Sequence, residues 1–384
     1  MLVNTVIYLD HNATTPLDPR VRSRMEAASG PSVGNPSSIH AWGRRARGEI
    51  DLARDQVAEV LGARPGEIIF TGGGTESNNL GLLGLALAHE AKGRHLITTP
   101  VEHHAVLHAA EFLRDRLGWE LTLLPVDGFG RVDPEDLRAA IRPDTVLVSV
   151  MSANNETGTK QPVRALAELC RDHGILFHTD AVQSVGKEIV SLRTWPVSAL
   201  SFCAHKFYGP TGVGVLFLKE GVALQPMLHG GAHENQRRPG TENTASIVGL
   251  AEALRLAVQE GPSDDSRLFP MIDLLWEKLN ASVPGLHRHG HPKERLGNTL
   301  NLSVEGCHSE SLLMGLDLEG LALSSGSACM VGSVQPSHVL LAMGVPPVLA
   351  AAALRFSLGK CNREEDLDPI LDRFARVIQR QRKR

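Results

Sequence analysis

The sequence predicts an α/β protein with a large, mixed but mostly parallel sheet domain and a smaller α+β domain. Three observations lead there. Stretches with helical spacing of apolar residues alternate with short apolar strands, the pattern of crossovers between parallel strands. A glycine run, Gly72-Gly73-Gly74, follows one such strand and opens a helix. A polar stretch at residues 261–266 then reads as a break, and the chain beyond it has fewer strands and more helix.

Along the chain, Ala46, Ile50, Ala53, Val57, Val60 and Leu61 keep helical spacing, and Gly62 is a stop signal. Residues 67–71 read as a strand before the glycine run and a second helix. Residues 95–99, 120–125, 145–151, 175–179 and 199–203 read as further strands. Residues 213–218 alternate less cleanly but are bounded by glycines. Strand candidates 298–304 and 355–358 lie beyond the break. The last helix carries the stripe Leu367, Ile370, Leu371, Phe374, Val377 and Ile378, with Asn362 as the expected N-cap and Glu365 three positions on. The large domain is expected over residues 14–260, and the small one over 1–13 and 261–384.

Composition narrows the function. With 384 residues, 42% hydrophobic and 21% charged, the chain can build a packed core. A net charge of -4 points to neither a nucleic-acid nor a membrane surface. The tail Arg380, Arg382, Lys383 and Arg384 reads as a solvated helix end. The five cysteines are scattered, odd in number and without Cys-x-x-Cys spacing. That argues against a disulfide framework or a four-thiolate zinc site, and for a reducing compartment. The N-terminus lacks a basic lead and a long apolar run, and residues 80–88 are too short to span a bilayer. A cytoplasmic location is the expectation.

The glycine run allows close backbone approach, and a helix N-terminus offers free N–H groups to an anion. A phosphate cup using Thr75 is one reading; an ordinary strand-to-helix turn is the other. No Gly-Lys-Ser/Thr follows for a nucleotide loop, and the third glycine of a dinucleotide fingerprint is missing. Asp180 ends an apolar strand, where open α/β sheets bind ligands. It can instead cap the next segment. Lys206 leaves a later strand and precedes a turn-rich Tyr208-Gly209-Pro210-Thr211-Gly212, an unusual place for a surface lysine. Together, Asp180 and Lys206 suit pyridoxal 5'-phosphate (PLP): a lysine amine for the Schiff base and a carboxylate to keep the pyridine nitrogen protonated. Gln183 is placed to reach the ring oxygen and His205 the phosphate. His103 can stack on the ring and move protons. A metal held by His103 and His104 is disfavoured because adjacent helical residues point apart. His287, His289 and His291 read as a variable surface loop, not a zinc site.

These residues extend into a wider likeness. The chain resembles the NifS/IscS-type cysteine desulfurases, PLP enzymes of the class V aminotransferase group with the aspartate aminotransferase-like fold (fold type I). The motifs that carry it run from Tyr8-Leu9-Asp10-His11-Asn12-Ala13-Thr14-Thr15 and Gly34-Asn35-Pro36-Ser37-Ser38 through Thr75-Glu76-Ser77, Asn154-Asn155-Glu156, Asp180/Gln183 and His205-Lys206. They continue in Arg238-Pro239-Gly240-Thr241-Glu242-Asn243, Ser324-Ser325-Gly326-Ser327-Ala328-Cys329 and Arg355-Phe356-Ser357-Leu358-Gly359.

The resemblance implies that Lys206 forms the Schiff base, His103 stacks on the ring, and Asp180 and Gln183 set its electronics. Gly74, Thr75, Cys203 and His205 would hold the phosphate. Thr241 would reach the phosphate in the partner subunit, so a homodimer with shared sites is implied. Asn155 would contact cofactor or substrate, and Asn35 and Arg355 would clamp the substrate carboxylate. Three departures stand out: Cys203 replaces the family's phosphate-loop serine and Ala204 a glycine; Gly74 replaces an alanine; Met330 and Val331 replace small polar residues. A thiol is a weaker donor than a hydroxyl, so the grip on phosphate should be looser.

PLP alone does not select a reaction. Cys329, in a loop of small residues carried by the small domain, supplies a thiol that can accept sulfur from L-cysteine, leaving L-alanine and a persulfide. Cys170, Cys307 and Cys361 read as small buried hydrophobes. The implied acceptor is an iron–sulfur scaffold or a tRNA-thiolation protein. A selenocysteine lyase or a class V aminotransferase on the same scaffold is the alternative; a catalytically silent scaffold is disfavoured by intact Lys206, Asp180 and Cys329.

Overall fold

The computed structural model describes residues 6–30, 34–325 and 335–382. Among them, a seven-stranded sheet runs in the order Ile68–Thr71, Gly214–Leu218, Ala199–Cys203, Leu176–Asp180, Thr145–Ser149, His95–Thr98, Glu120–Leu123. Gly214–Leu218 is antiparallel to both neighbours, and the other pairs are parallel. The sheet is therefore mixed but mostly parallel, as the alternation of strands and helices predicts.

Both faces of the sheet are covered, which is why its inner strands are mostly apolar and buried. In Gly214–Leu218, Val215 and Phe217 join one core with Ile50, Val57 and Leu254, while Leu216 and Leu218 join another with Leu82, Leu85 and Val106. The helix Gly74–His89 lies so close to the sheet that it needs glycine. A Cβ on Gly81 would come within 3.0 Å of the His178 ring, and one on Gly84 within 2.8 Å of the Gln225 carbonyl. The contact outweighs the roughly 1 kcal/mol that each helical glycine costs against alanine.

A second core holds Leu9, Leu275, Leu302, Phe356 and Phe374. It packs beneath a three-stranded antiparallel sheet of Ala353–Ser357, Thr299–Val304 and Leu286–His289, with a short parallel pair of Ile7–Tyr8 and Leu321–Ala322.

Several expectations change. Residues 261–266 are not a break: the helix Thr244–Ser282 runs through them, with Pro262 and Pro270 inside it. The carbonyls those prolines deprive of a donor belong to Val258 and Ser266, both exposed residues that water can reach. Ala257 and residues before it pack in the first core, and Leu268 onward in the second. Asn362 does not cap the last helix. Its Oδ1 accepts from the Gly359 N–H and its Nδ2 donates to the Tyr8 carbonyl, while Arg363 N–H donates to Asp366 at the turn before Leu367–Arg382. His287 and His289 lie in a strand, not a loop, bonded to Glu305 and Ser303. Cys170 and Cys307 are buried as expected, but Cys361 is exposed, its Sγ 3.5 Å from His11 Nε2.

Candidate active site

Strand ends and helix starts meet at one edge of the large sheet. Asp180 ends Leu176–Asp180, Cys203 ends Ala199–Cys203, and Gly74 and His104 begin helices on returning crossovers. Asp180, Cys203, Gly74 and His103, the cap of the helix that His104 begins, surround a cavity of about 300 Å³. Gly74, Thr75, His103, Asn155, Asp180, Gln183, Cys203, His205, Lys206 and Arg355 all line it. Asn35 and Thr241 do not: both are exposed, and Asn35 Oδ1 accepts from the Ser37 N–H in a local turn. Cys329 lies outside the described residues.

Lys206 sits in the tight turn Ala204–Lys206 that follows its strand. Its Nζ donates to the backbone carbonyls of Asn12 at 2.8 Å and Ala13 at 2.6 Å. Desolvation pulls the amine below the ordinary lysine value, with Cys203 opposing and Arg355 assisting. Asp180 accepts from Asn78 Nδ2 at 2.6 Å and from the Val182 N–H at 2.9 Å. Burial pushes its carboxyl up, against the pull of His103 and those hydrogen bonds.

His103 caps the helix His104–Leu117, its Nδ1 accepting from the Ala105 N–H at 3.1 Å. Its neutral form therefore carries the proton on Nε2. Burial holds His103 below its usual value, and holds His205 down to about 4. Burial also pushes the Cys203 thiol up to about 12, so it stays protonated.

This set fits PLP. The helix opened by the glycine run has no side-chain cap, leaving its first N–H groups for an anion. A Cβ on Gly74 would lie 2.9 Å from Val182 Cγ2, so the cradle is as tight as a backbone allows. Asn78 Oδ1 and Arg355 Nε are buried without a hydrogen-bond partner. The carboxyl of Asp180 is raised until a cation reaches it, as a pyridinium N–H would.

The comparisons agree with this geometry. Residues 7–370 match the model of the family described as "Aminotransferase class-V". The chain belongs to the class-V aminotransferase family. Within this family it is 46% identical over 376 residues, 98% of this chain and 95% of the relative, to the "Cysteine desulfurase IscS" of Dictyoglomus turgidum. It is 44% identical over 379 residues to the protein of that name from Methanosarcina thermophila, covering 99% and 93% of the two chains. A solved "NIFS-LIKE PROTEIN" superposes with a TM-score of 0.92 at 38% identity, over 98% of this chain and all of that one. A structure described as "SspA in complex with cysteine" gives 0.81 at 34% identity, over 91% and 98%. The expected resemblance and fold type are borne out, and PLP dependence is a property that class-V aminotransferases imply.

Residue patterns gave no roles to Asn12, Ala13, Asn78 or Lys187. Ala13 acts through its backbone carbonyl and Asn12 through both its carbonyl and its side-chain amide, and no side-chain pattern reveals the carbonyl contacts. Asn78 lies on the same helix as the glycine run, one turn on from Gly74. That spacing is a usable signal for a residue facing the same cavity.

Proposed function

We propose that the protein is a cysteine desulfurase that binds PLP, converts L-cysteine to L-alanine and holds the released sulfur as a persulfide on Cys329. The supporting observation is the single cavity that gathers Lys206, Asp180, His103 and Arg355, in a chain similar along almost its whole length to proteins named cysteine desulfurases. Bound PLP supplies the electron sink that weakens bonds beside the substrate's amino carbon.

The chain supplies the rest. Asp180 accepts the pyridine N–H and Gln183 faces the ring oxygen. Gly74, Thr75, Cys203 and His205 hold the phosphate, joined by Thr241 of the partner subunit in a homodimer. Lys206 carries protons at Nζ and His103 at Nε2, within reach of one cavity. Arg355, with Asn35, orients the substrate carboxylate, and Asn155 contacts cofactor or substrate. The Cys329 thiolate attacks the substrate sulfur: an S–S bond forms, the C–S bond breaks, and the freed carbon takes a proton to become the methyl of alanine. The sulfur then passes to an acceptor protein, an iron–sulfur scaffold or a tRNA-thiolation protein. Among the described residues no helix is long and apolar enough to cross a membrane, and we place the enzyme in the cytoplasm. The domain division completes this reading, with residues 14–260 holding the cofactor and residues 1–13 and 261–384 carrying the Cys329 loop.

The test is incubation of the PLP-loaded protein with L-cysteine, with alanine quantified and sulfur added to each cysteine located by mass spectrometry. Alanine release with persulfide on Cys329, both lost in Cys329→Ala, is the expected result. Persulfide formed on another cysteine in that variant overturns the assignment of Cys329. Turnover that needs a keto-acid acceptor and releases no alanine indicates an aminotransferase. A strong preference for selenocysteine indicates a lyase.

A further inference from the structure

Lys187 has no role in the proposed reaction, yet its Nζ holds two residues that line the site, Asn12 and Gln183. Gly186, at φ +82°, turns the chain just before it. Lys187 Nζ donates to Gln183 Oε1 at 2.6 Å and to Asn12 Oδ1 at 2.8 Å. Both acceptors are neutral amide oxygens. The neighbouring Glu188 is engaged elsewhere, paired with Lys160 at 2.7 Å. Desolvation drives Lys187 well below the ordinary lysine value, and Lys206 and Arg355 push the same way. A buried amine held only by neutral partners is costly to desolvate, which asks what it does there.

The hydrogen-bond directions answer. With Oε1 turned to Lys187, Gln183 presents Nε2, which donates to the Asn12 carbonyl at 3.1 Å. That carbonyl also accepts from Lys206 Nζ at 2.8 Å. The Asn12 side chain is fixed as well: Oδ1 takes Lys187 and Asn298 Nδ2, so Nδ2 faces Thr299 Oγ1 at 2.8 Å. Reversing the Gln183 amide would set its NH₂ group against the Lys187 N–H, donor to donor. Lys187 and Lys206 also line one further cavity, of about 50 Å³. A continuous chain thus runs Lys187–Gln183–Asn12–Lys206.

We infer that Lys187 is a positioning residue for the cofactor pocket. It locks the Gln183 amide with its donor side toward the pocket and holds the Asn12 carbonyl against Lys206. Its N–H donation polarises the Gln183 amide, making Nε2 a stronger donor to an anionic ligand oxygen. This rests on the reading of the cavity as a PLP site.

The test compares full-length wild type, Lys187→Met, Lys187→Gln, Gln183→Ala and the double variant Lys187→Met/Gln183→Ala. PLP affinity is measured on cofactor-free protein by equilibrium dialysis, and the visible absorption band is recorded after loading. Lys187→Met should bind PLP about tenfold more weakly, the size of one hydrogen bond, and shift the band. Lys187→Gln, which keeps a donor, should fall between, and decides the matter if the Met variant does not fold. In the Gln183→Ala background the Lys187→Met loss should shrink to the part carried through Asn12. Wild-type affinity and band position in both single Lys187 variants overturn the inference. So does a full loss retained without Gln183. A wild type that takes up no PLP overturns the cofactor reading and the inference with it, whereas the preceding two outcomes leave the cofactor reading intact.

Discussion

Asp10 and Arg355 form an ion pair at 2.7 Å across 345 positions of sequence. The second prong of the guanidinium donates to the Asn155 carbonyl at 2.9 Å, and only 3% of Arg355 is exposed. A residue expected to clamp a substrate carboxylate is thus already held by a protein carboxylate. In the proposed reaction, substrate would share Arg355 with Asp10. Arg355→Lys keeps the charge but loses the planar fork. Its KM for L-cysteine should rise by about tenfold or more, the size of a lost charge-assisted hydrogen bond, with PLP content unchanged. Steady-state alanine formation checks this, and an unchanged KM removes Arg355 from the substrate site. Asp10→Asn should lower unfolding free energy by about 2 kcal/mol, the worth of a hydrogen bond to a charged group. Urea melts of the two proteins measure it.

Cys203 lies at the end of its strand beside Gly74, as a protonated thiol. Cys203→Ser puts a stronger donor at the same place. PLP should then dissociate roughly threefold to tenfold more slowly, the worth of one ordinary hydrogen bond. Displacement of PLP into a trapping protein gives the rate. Equal or faster release would mean that Cys203 does not touch the phosphate.

His103 has its Nδ1 tied to the Ala105 N–H and its Nε2 free for proton transfer. His103→Gln keeps a polar side chain but cannot carry a proton. Its kcat for alanine release should fall by roughly 10²-fold or more, the usual range for a general acid–base. The visible band of the loaded protein should remain. Retention of near-full kcat would leave His103 a helix cap and nothing more.

Acid should destabilise the fold before carboxylates are titrated. His178 is fully buried between the Ser149 and Ser201 hydroxyls, and burial lowers it from 6.5 to about 3. Between those pH values the unfolded chain binds a proton there and the native chain does not. Stability therefore rises with pH through that window and is lost as pH falls below about 6.5. His11 and His205, each held near 4 by burial, act in the same direction. Urea midpoints taken from pH 7 down to 4 should decline, and His178→Asn should flatten the decline. A flat wild-type profile contradicts the assignment of buried neutral imidazoles.

Much of this was legible in the chain. The strand 199–203 announces itself through its apolar run and 214–218 through an apolar run between glycines, because a sheet covered on both faces admits little else. The cavity's glycine turn, aspartate and lysine are readable because each ends or follows such a strand. The helix across residues 261–266 was not readable. Its prolines and aspartates carry a loop signature, and helicity there comes from packing on either side, at Ala257 and Leu268. Cys361 was misread as buried because one cysteine in a short polar stretch has no period from which to read burial.

What the sequence determined by itself is the kind of site: residue types, their order along strands, and family membership follow from local pattern and motif. What only the tertiary structure decided is who holds whom. Arg355 meets Asp10, Asn78 meets Asp180, and Lys187 meets Gln183 and Asn12. The reason is physical. Hydrogen bonds and ion pairs act over a few ångströms. For Asp10 and Arg355 that closeness comes from the backbone bridge that sets Asp10 beside Ser357, not from spacing along the chain.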